Sequence, residues 1–219
     1  MLICIIGIDG SGKTPHAKKL VNTLKLAGSN SKYVWARWQP KLLKPIEVSF
    51  AWFIRKVAHT SPTNYNAYAR QKRRVVQRQT LVFLWAYLVM LDYGIQLLFK
   101  VRLPLLLGKT VICDRYVYDT LVDFVADFKL SRDKVVQLLR MPLLKLFPKP
   151  DLIFLLDIAE NTASKRKGDP THGFLEYVTS RRNVYLETAK TIHALVLDAS
   201  DFENVQQLIT SAVAQVQKA

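Results

Sequence analysis

Gly7-Ile8-Asp9-Gly10-Ser11-Gly12-Lys13-Thr14 decides how the rest of the chain is read. The spacing Gly-x4-Gly-Lys-Thr is the Walker A pattern, and its flanks are those the pattern needs. Ahead of it, Leu2-Ile-Cys-Ile-Ile6 is apolar without alternation, as a strand covered on both faces of a parallel sheet reads. After it, Ala17, Leu20, Val21 and Leu24 recur at helical spacing until Gly28, which suits the left-handed residue that ends a helix. A strand, a glycine-rich bend and a helix in that order gather consecutive amides at a positive helix end, a nest for an anion. Gly7, Asp9, Gly10, Ser11 and Gly12 line that nest. Lys13 would reach the β- and γ-phosphates of a triphosphate, and the Thr14 hydroxyl would ligate Mg2+. Pro15 departs from the usual pattern. It fits a first helical turn but has no N–H, so one phosphate hydrogen bond fewer is expected.

Outward from the motif, strand and helix patterns alternate. Tyr33–Ala36, Thr110–Asp114, Asp151–Asp157 and Ala194–Asp198 read as further strands. Helical patterns cover Pro40 to about Leu107 with a break at Thr60–Asn64, then Asp119–Phe128, Ser131–Leu146 (interrupted or ended near Met141-Pro142), Ala159–Lys167, Phe174–Thr191 and Phe202–Val216. The pattern implies a single α/β domain over residues 1–219, with a five-stranded, mostly parallel sheet and right-handed crossovers.

Composition narrows the partners. Half of the 219 residues are hydrophobic and 22% are charged, which excludes wholesale disorder. Cys4 and Cys113 lie in apolar runs and cannot build a disulfide framework, so a reducing compartment, the cytoplasm, is expected. The start of the chain lacks the basic region of a signal peptide. The longest apolar suspect, Gln79–Leu91 between Arg78 and Asp92, falls short of the roughly 20 residues a membrane helix needs. No membrane partner is therefore expected. Leu81–Leu98, apolar nearly all round, reads as a central or subunit-interface helix. The net charge of +15 fits nucleotides, nucleic acid or an anionic membrane surface, and charge alone does not choose. Arg70, Arg74 and Arg78 share a helix face that could track a nucleic-acid backbone, although no nucleic-acid module accompanies them.

Phosphoryl transfer also wants a carboxylate at the end of a neighbouring strand to organise the metal. Asp114 is the better placed, and Asp157 is its competitor. Arg115 follows directly and offers a planar fork to phosphate oxygens, though an ion pair closing a strand would look the same.

Gly7–Thr14, Asp114-Arg-Tyr116, Pro150–Asp157, Arg182–Ala189 and Leu197–Ser200 stand in an order and spacing that resemble the thymidylate kinase family over nearly the whole chain. The resemblance implies a P-loop NTPase fold, a three-layer α/β/α sandwich with a five-stranded parallel sheet. It also implies transfer of the ATP γ-phosphoryl group to a nucleoside monophosphate (dTMP first), with Mg2+, a lid at about 165–175 and a homodimer formed through apolar helices. Carried over by position, Asp9 contacts the acceptor, Arg37 takes the acceptor phosphate, and Arg115 and Tyr116 belong to the acceptor side. Arg166, in Lys165-Arg-Lys167, neutralises the transition state. Two departures leave the acceptor open. Leu88–Tyr93 lacks the family's nucleotide-seating arginine, and Val117–Asp123 replaces the stretch that frames thymine. Asp92, Tyr93, Tyr118 and Asp119 could line a different pocket. The alternatives are another nucleotide, a nucleoside or a hydroxylated metabolite as acceptor, or a nucleic-acid-binding ATPase.

Overall fold

The structure, a computed structural model, describes residues 1–45, 79–131, 133–169 and 171–218. Five parallel strands form one sheet: β1 Leu2–Ile6, β2 Ser31–Trp35, β3 Thr110–Asp114, β4 Leu152–Asp157 and β5 Leu195–Asp198, in the order β2-β3-β1-β4-β5. β1 and β3 are buried at every position, as the apolar Leu2–Ile6 and Val111–Cys113 require. The register pairs Ile5 with Asp114 and Ile6 with Leu155, so the carboxyl ends of β1, β3 and β4 open on one crevice.

The helices are α1 Lys13–Leu26, α2 Gln79–Leu97, α3 Leu103–Leu106, α4 Val117–Asp127, α5 Asp133–Leu139, α6 Glu160–Lys167, α7 His172–Ile192 and α8 Phe202–Lys218. α1 buries Ala17, Leu20, Val21 and Leu24 against the sheet, the stripe its sequence spacing foretold. The predicted helix over Ser131–Leu146 stops at Leu139. Pro142–Leu146 is a separate 3-10 turn, because Pro142 cannot supply the N–H a continuing helix needs. β5 is also less covered than its composition suggests. It is an edge strand, and Leu195 and Val196 lie about half exposed.

The long apolar helix departs most from expectation. Asp92, which seemed to end an apolar run, is buried: it accepts the Lys41 and Leu42 backbone N–H groups and the Trp38 indole N–H at 3.0–3.3 Å. The outer face therefore continues past it, through a π-helical turn at Leu98–Arg102 into α3. Among the described residues, Phe83–Leu106 is one helical run long and apolar enough to cross a membrane, with 44% of its most apolar window buried in the protein. The break expected at Thr60–Asn64 and the Arg70, Arg74 and Arg78 face lie outside the described residues.

Candidate active site

The phosphate loop is held by close backbone packing. A Cβ at Gly7 would sit 2.6 Å from the Leu156 carbonyl oxygen, and one at Gly10 would sit 2.6 Å from that of Ala163. Both glycines have positive φ, so no other residue fits either the space or the backbone. The loop is thus clamped between the end of β4 and α6. Ser11 is fully buried within it, and its N–H donates to the Ile8 carbonyl at 3.2 Å. Gly12, in the left-handed region, turns the chain into α1.

Lys13 lies back over this loop, its Nζ donating to the Ile8 carbonyl at 2.5 Å. Burial, reinforced by the neighbouring Arg115 charge, lowers its pKa to about 8. An ammonium group so poorly compensated is a ready partner for an arriving phosphate.

Asp114 closes β3 beside it. One carboxylate oxygen accepts Thr14 Oγ1–H at 2.5 Å and the Tyr33 hydroxyl at 2.8 Å, whereas Oδ1 is buried without a partner. An orphaned carboxylate oxygen next to a threonine hydroxyl is a hard-oxygen donor set suited to Mg2+, which keeps several waters and borrows ligands from phosphate. The residues fit the ion. The competing Asp157 is engaged elsewhere: Arg182 grips it through Nε and Nη2 at 2.7 and 2.9 Å and reaches Glu160 as well.

Arg115 adopts φ 71°, a left-handed conformation in which its N–H still donates to the Ile5 carbonyl. That turn sends its guanidinium toward the loop, where it pairs with Asp9 and, at 3.5 Å, with Asp119. Asp119 is fully buried; it caps α4 by accepting the Tyr116 N–H at 2.8 Å and takes the Tyr185 hydroxyl at 2.6 Å. Burial pushes its carboxyl pKa up, even though Arg115 opposes the shift. Burial also disfavours the Asp9 carboxylate, but Arg115 and Lys13 outweigh it and the pKa falls below the ordinary value.

A second set of charges lies beyond. Arg37 donates to Asp123 at 3.2 Å, and Arg181 donates to Asp123 at 2.8 Å and to Asp127 at 2.5 Å. The Arg181 guanidinium lies over the Tyr177 ring, 3.7 Å from its centroid. Arg115 and Arg37 thus present two forks toward the crevice, both resting on carboxylates. Arg181 and Tyr33 escaped the sequence reading. Asp123 and Asp127 stand one helical turn apart and match Arg181 only once α4 and α7 are known to pack together.

Matches to known proteins bear on this arrangement. The thymidylate kinase family model matches residues 50–209, most of the chain. The chain belongs to the thymidylate kinase family. The match includes the Asp114-Arg115 pair and begins beyond the phosphate loop, which rests on its own geometry. A probable thymidylate kinase of Archaeoglobus fulgidus is 26% identical over 97% of this chain and 94% of its own length. One from Sulfurisphaera tokodaii is 28% identical over 94% of both chains, and a Wolbachia pipientis thymidylate kinase is 29% identical over 77% of this chain and 73% of its own. This kinase-family chain is thereby placed among the nucleoside monophosphate kinases.

Two expected site residues of this family member stand elsewhere. Tyr116 is fully buried in the core and donates its hydroxyl to the Pro148 carbonyl at 2.7 Å. Arg166 donates to the carbonyls of Ala199 and Ser200, at 3.0 and 3.1 Å, and so is tied to the turn before α8. Of the residues suggested for a different acceptor pocket, Asp92 organises the loop after β2, the Tyr93 hydroxyl donates to the Ala36 carbonyl, and Asp119 anchors Arg115. Tyr118 packs half-buried against Tyr116.

Proposed function

We propose that this protein transfers the γ-phosphoryl group of ATP to dTMP, with Mg2+, as a cytoplasmic homodimer. The observation that carries the proposal is the contact of Arg115 with Asp9. It supports the reading by holding a guanidinium against the phosphate loop, where an acceptor phosphate would have to approach the donor.

The protein needs to supply little bond-making chemistry. Loop amides and Lys13 hold the donor, with Lys13 on the transferring group. Thr14 and Asp114 would hold the metal, which would supply positive charge to the donor phosphates. Arg37 and Arg115 exchange their carboxylate partners for the acceptor phosphate, one anion replacing another, so neither guanidinium is left bare. Asp9, released by Arg115, meets the acceptor. Arg166 contributes only by leaving the Ala199 and Ser200 carbonyls. The names carried by the relatives favour dTMP as the acceptor. Dimerisation would bury the stripe Leu84, Tyr87, Leu91 and Ile95 of α2, each 39–57% exposed.

ADP release from a panel of nucleoside monophosphates, nucleosides and small hydroxylated metabolites tests the reading. dTMP should give the highest kcat/KM. Faster turnover of another member would change the acceptor, and silence across the panel with salt-sensitive binding to nucleic acid would point to the ATPase alternative.

A further inference from the structure

The amino-terminal end of the sheet, opposite the phosphate loop, carries a surface that the kinase reaction does not use. There the π-helical turn and α3 meet the 3-10 turn, and Arg102 donates to the Leu146 carbonyl to join them. Phe99, Leu106, Leu107 and Leu146 project from these two segments at 69%, 77%, 64% and 65% exposure, well above the stripe farther up α2. Between the segments an apolar groove of about 240 Å³ runs along Leu98, Leu143, Leu146 and Phe147, its far wall formed by Leu91 and Ile95 of the dimer stripe.

Charge separates this end from the rest of the helix. Residues 83–99 contain no lysine or arginine, and their one acid, Asp92, is buried. The two segments that form the knob, residues 98–109 and 139–150, hold Lys100, Arg102, Lys109, Arg140, Lys145 and Lys149 and no acid at all. A second copy of the chain docked here about a two-fold axis would bring these cations against their own counterparts. Anionic lipid headgroups would neutralise them while the leucines and Phe99 enter the acyl boundary. Nor can the helix cross the bilayer, because its inner face is built into the core: Ala86, Val89, Met90, Tyr93, Leu97 and Val101 are buried there.

We propose that this end docks the enzyme on an anionic membrane surface, with Phe99, Leu106, Leu107 and Leu146 inserted at the interface and the six cations on the headgroups. The full-length protein would be spun with phosphatidylcholine vesicles and with vesicles containing about one-third phosphatidylglycerol. Binding should be at least about tenfold tighter to the anionic vesicles. The exposed double variant L106E/L107E should lose at least about tenfold of that binding while ATP turnover in solution is unchanged. K145Q/K149Q should reduce both the affinity and its salt dependence. No binding to anionic vesicles would overturn the proposal. So would anionic binding that L106E/L107E leaves intact, since that is the adhesion of a +15 protein without insertion. A dimer that L106E/L107E dissociates, with no vesicle binding, would identify a second copy as the occupant and overturn it as well.

Discussion

The two halves of the crevice are built differently. On the donor side, recognition rests on backbone: amides fixed by glycines that admit no Cβ, braced by Leu156 and Ala163, with a lysine folded over them. On the acceptor side it rests on side chains: Arg115 and Arg37 are parked on Asp9, Asp119 and Asp123. A backbone nest needs no rearrangement when the ligand arrives, whereas parked arginines must change partners. The donor half thus has its backbone set before binding, with only Lys13 and Thr14 to turn from Ile8 and Asp114, and the acceptor half holds its charge in a neutralised store.

The sharpest break should come at Lys13. Lys13→Ala should lower kcat about 10³-fold or more with the fold intact by circular dichroism, since it removes the ammonium that meets the transferring group. Next, Asp114→Asn should cost about 10²-fold in kcat and raise the Mg2+ concentration needed for half-maximal rate, checked by titrating the metal at fixed ATP. Arg115→Ala should do double damage. It leaves the buried Asp119 without its ion-pair partner, costing about 3 kcal/mol in a urea melt, and it removes an acceptor cation. Were stability untouched, the ion-pair description of that half would be wrong. Arg37→Ala, at a more exposed pair, should raise the acceptor KM about tenfold with little change in kcat and little in stability. The smallest effect belongs to Pro15→Thr, which restores an N–H and should tighten ATP severalfold by calorimetry; equal or weaker binding would refute the missing hydrogen bond.

The same contrast explains what could be read from the chain alone. The donor half is local: strand, bend and helix follow one another, and β1, α1 and β3 appear where the pattern put them. The acceptor half depends on pairings between distant segments, Arg115 with Asp9 and Arg181 with Asp123, which no periodicity reveals. The burial of Tyr116 was likewise hidden, because the left-handed Arg115 ends the strand alternation just before it. Asp92 was taken as the end of an apolar run because a charge in sequence looks solvated. Here it is enclosed by the N–H groups of the preceding loop. Asp114 was already favoured over Asp157 as the strand-end carboxylate, and Arg182, arriving from α7, supplies a reason the sequence could not: it grips Asp157.

The turn at Arg115 has a further consequence. It joins a guanidinium in the crevice to a tyrosine ring in the core through one peptide bond, and that ring borders a groove of about 940 Å³ also lined by Met141, Phe147 and Ile153. Crevice and groove thus share one stretch of backbone, whose left-handed bend sets where both side chains stand.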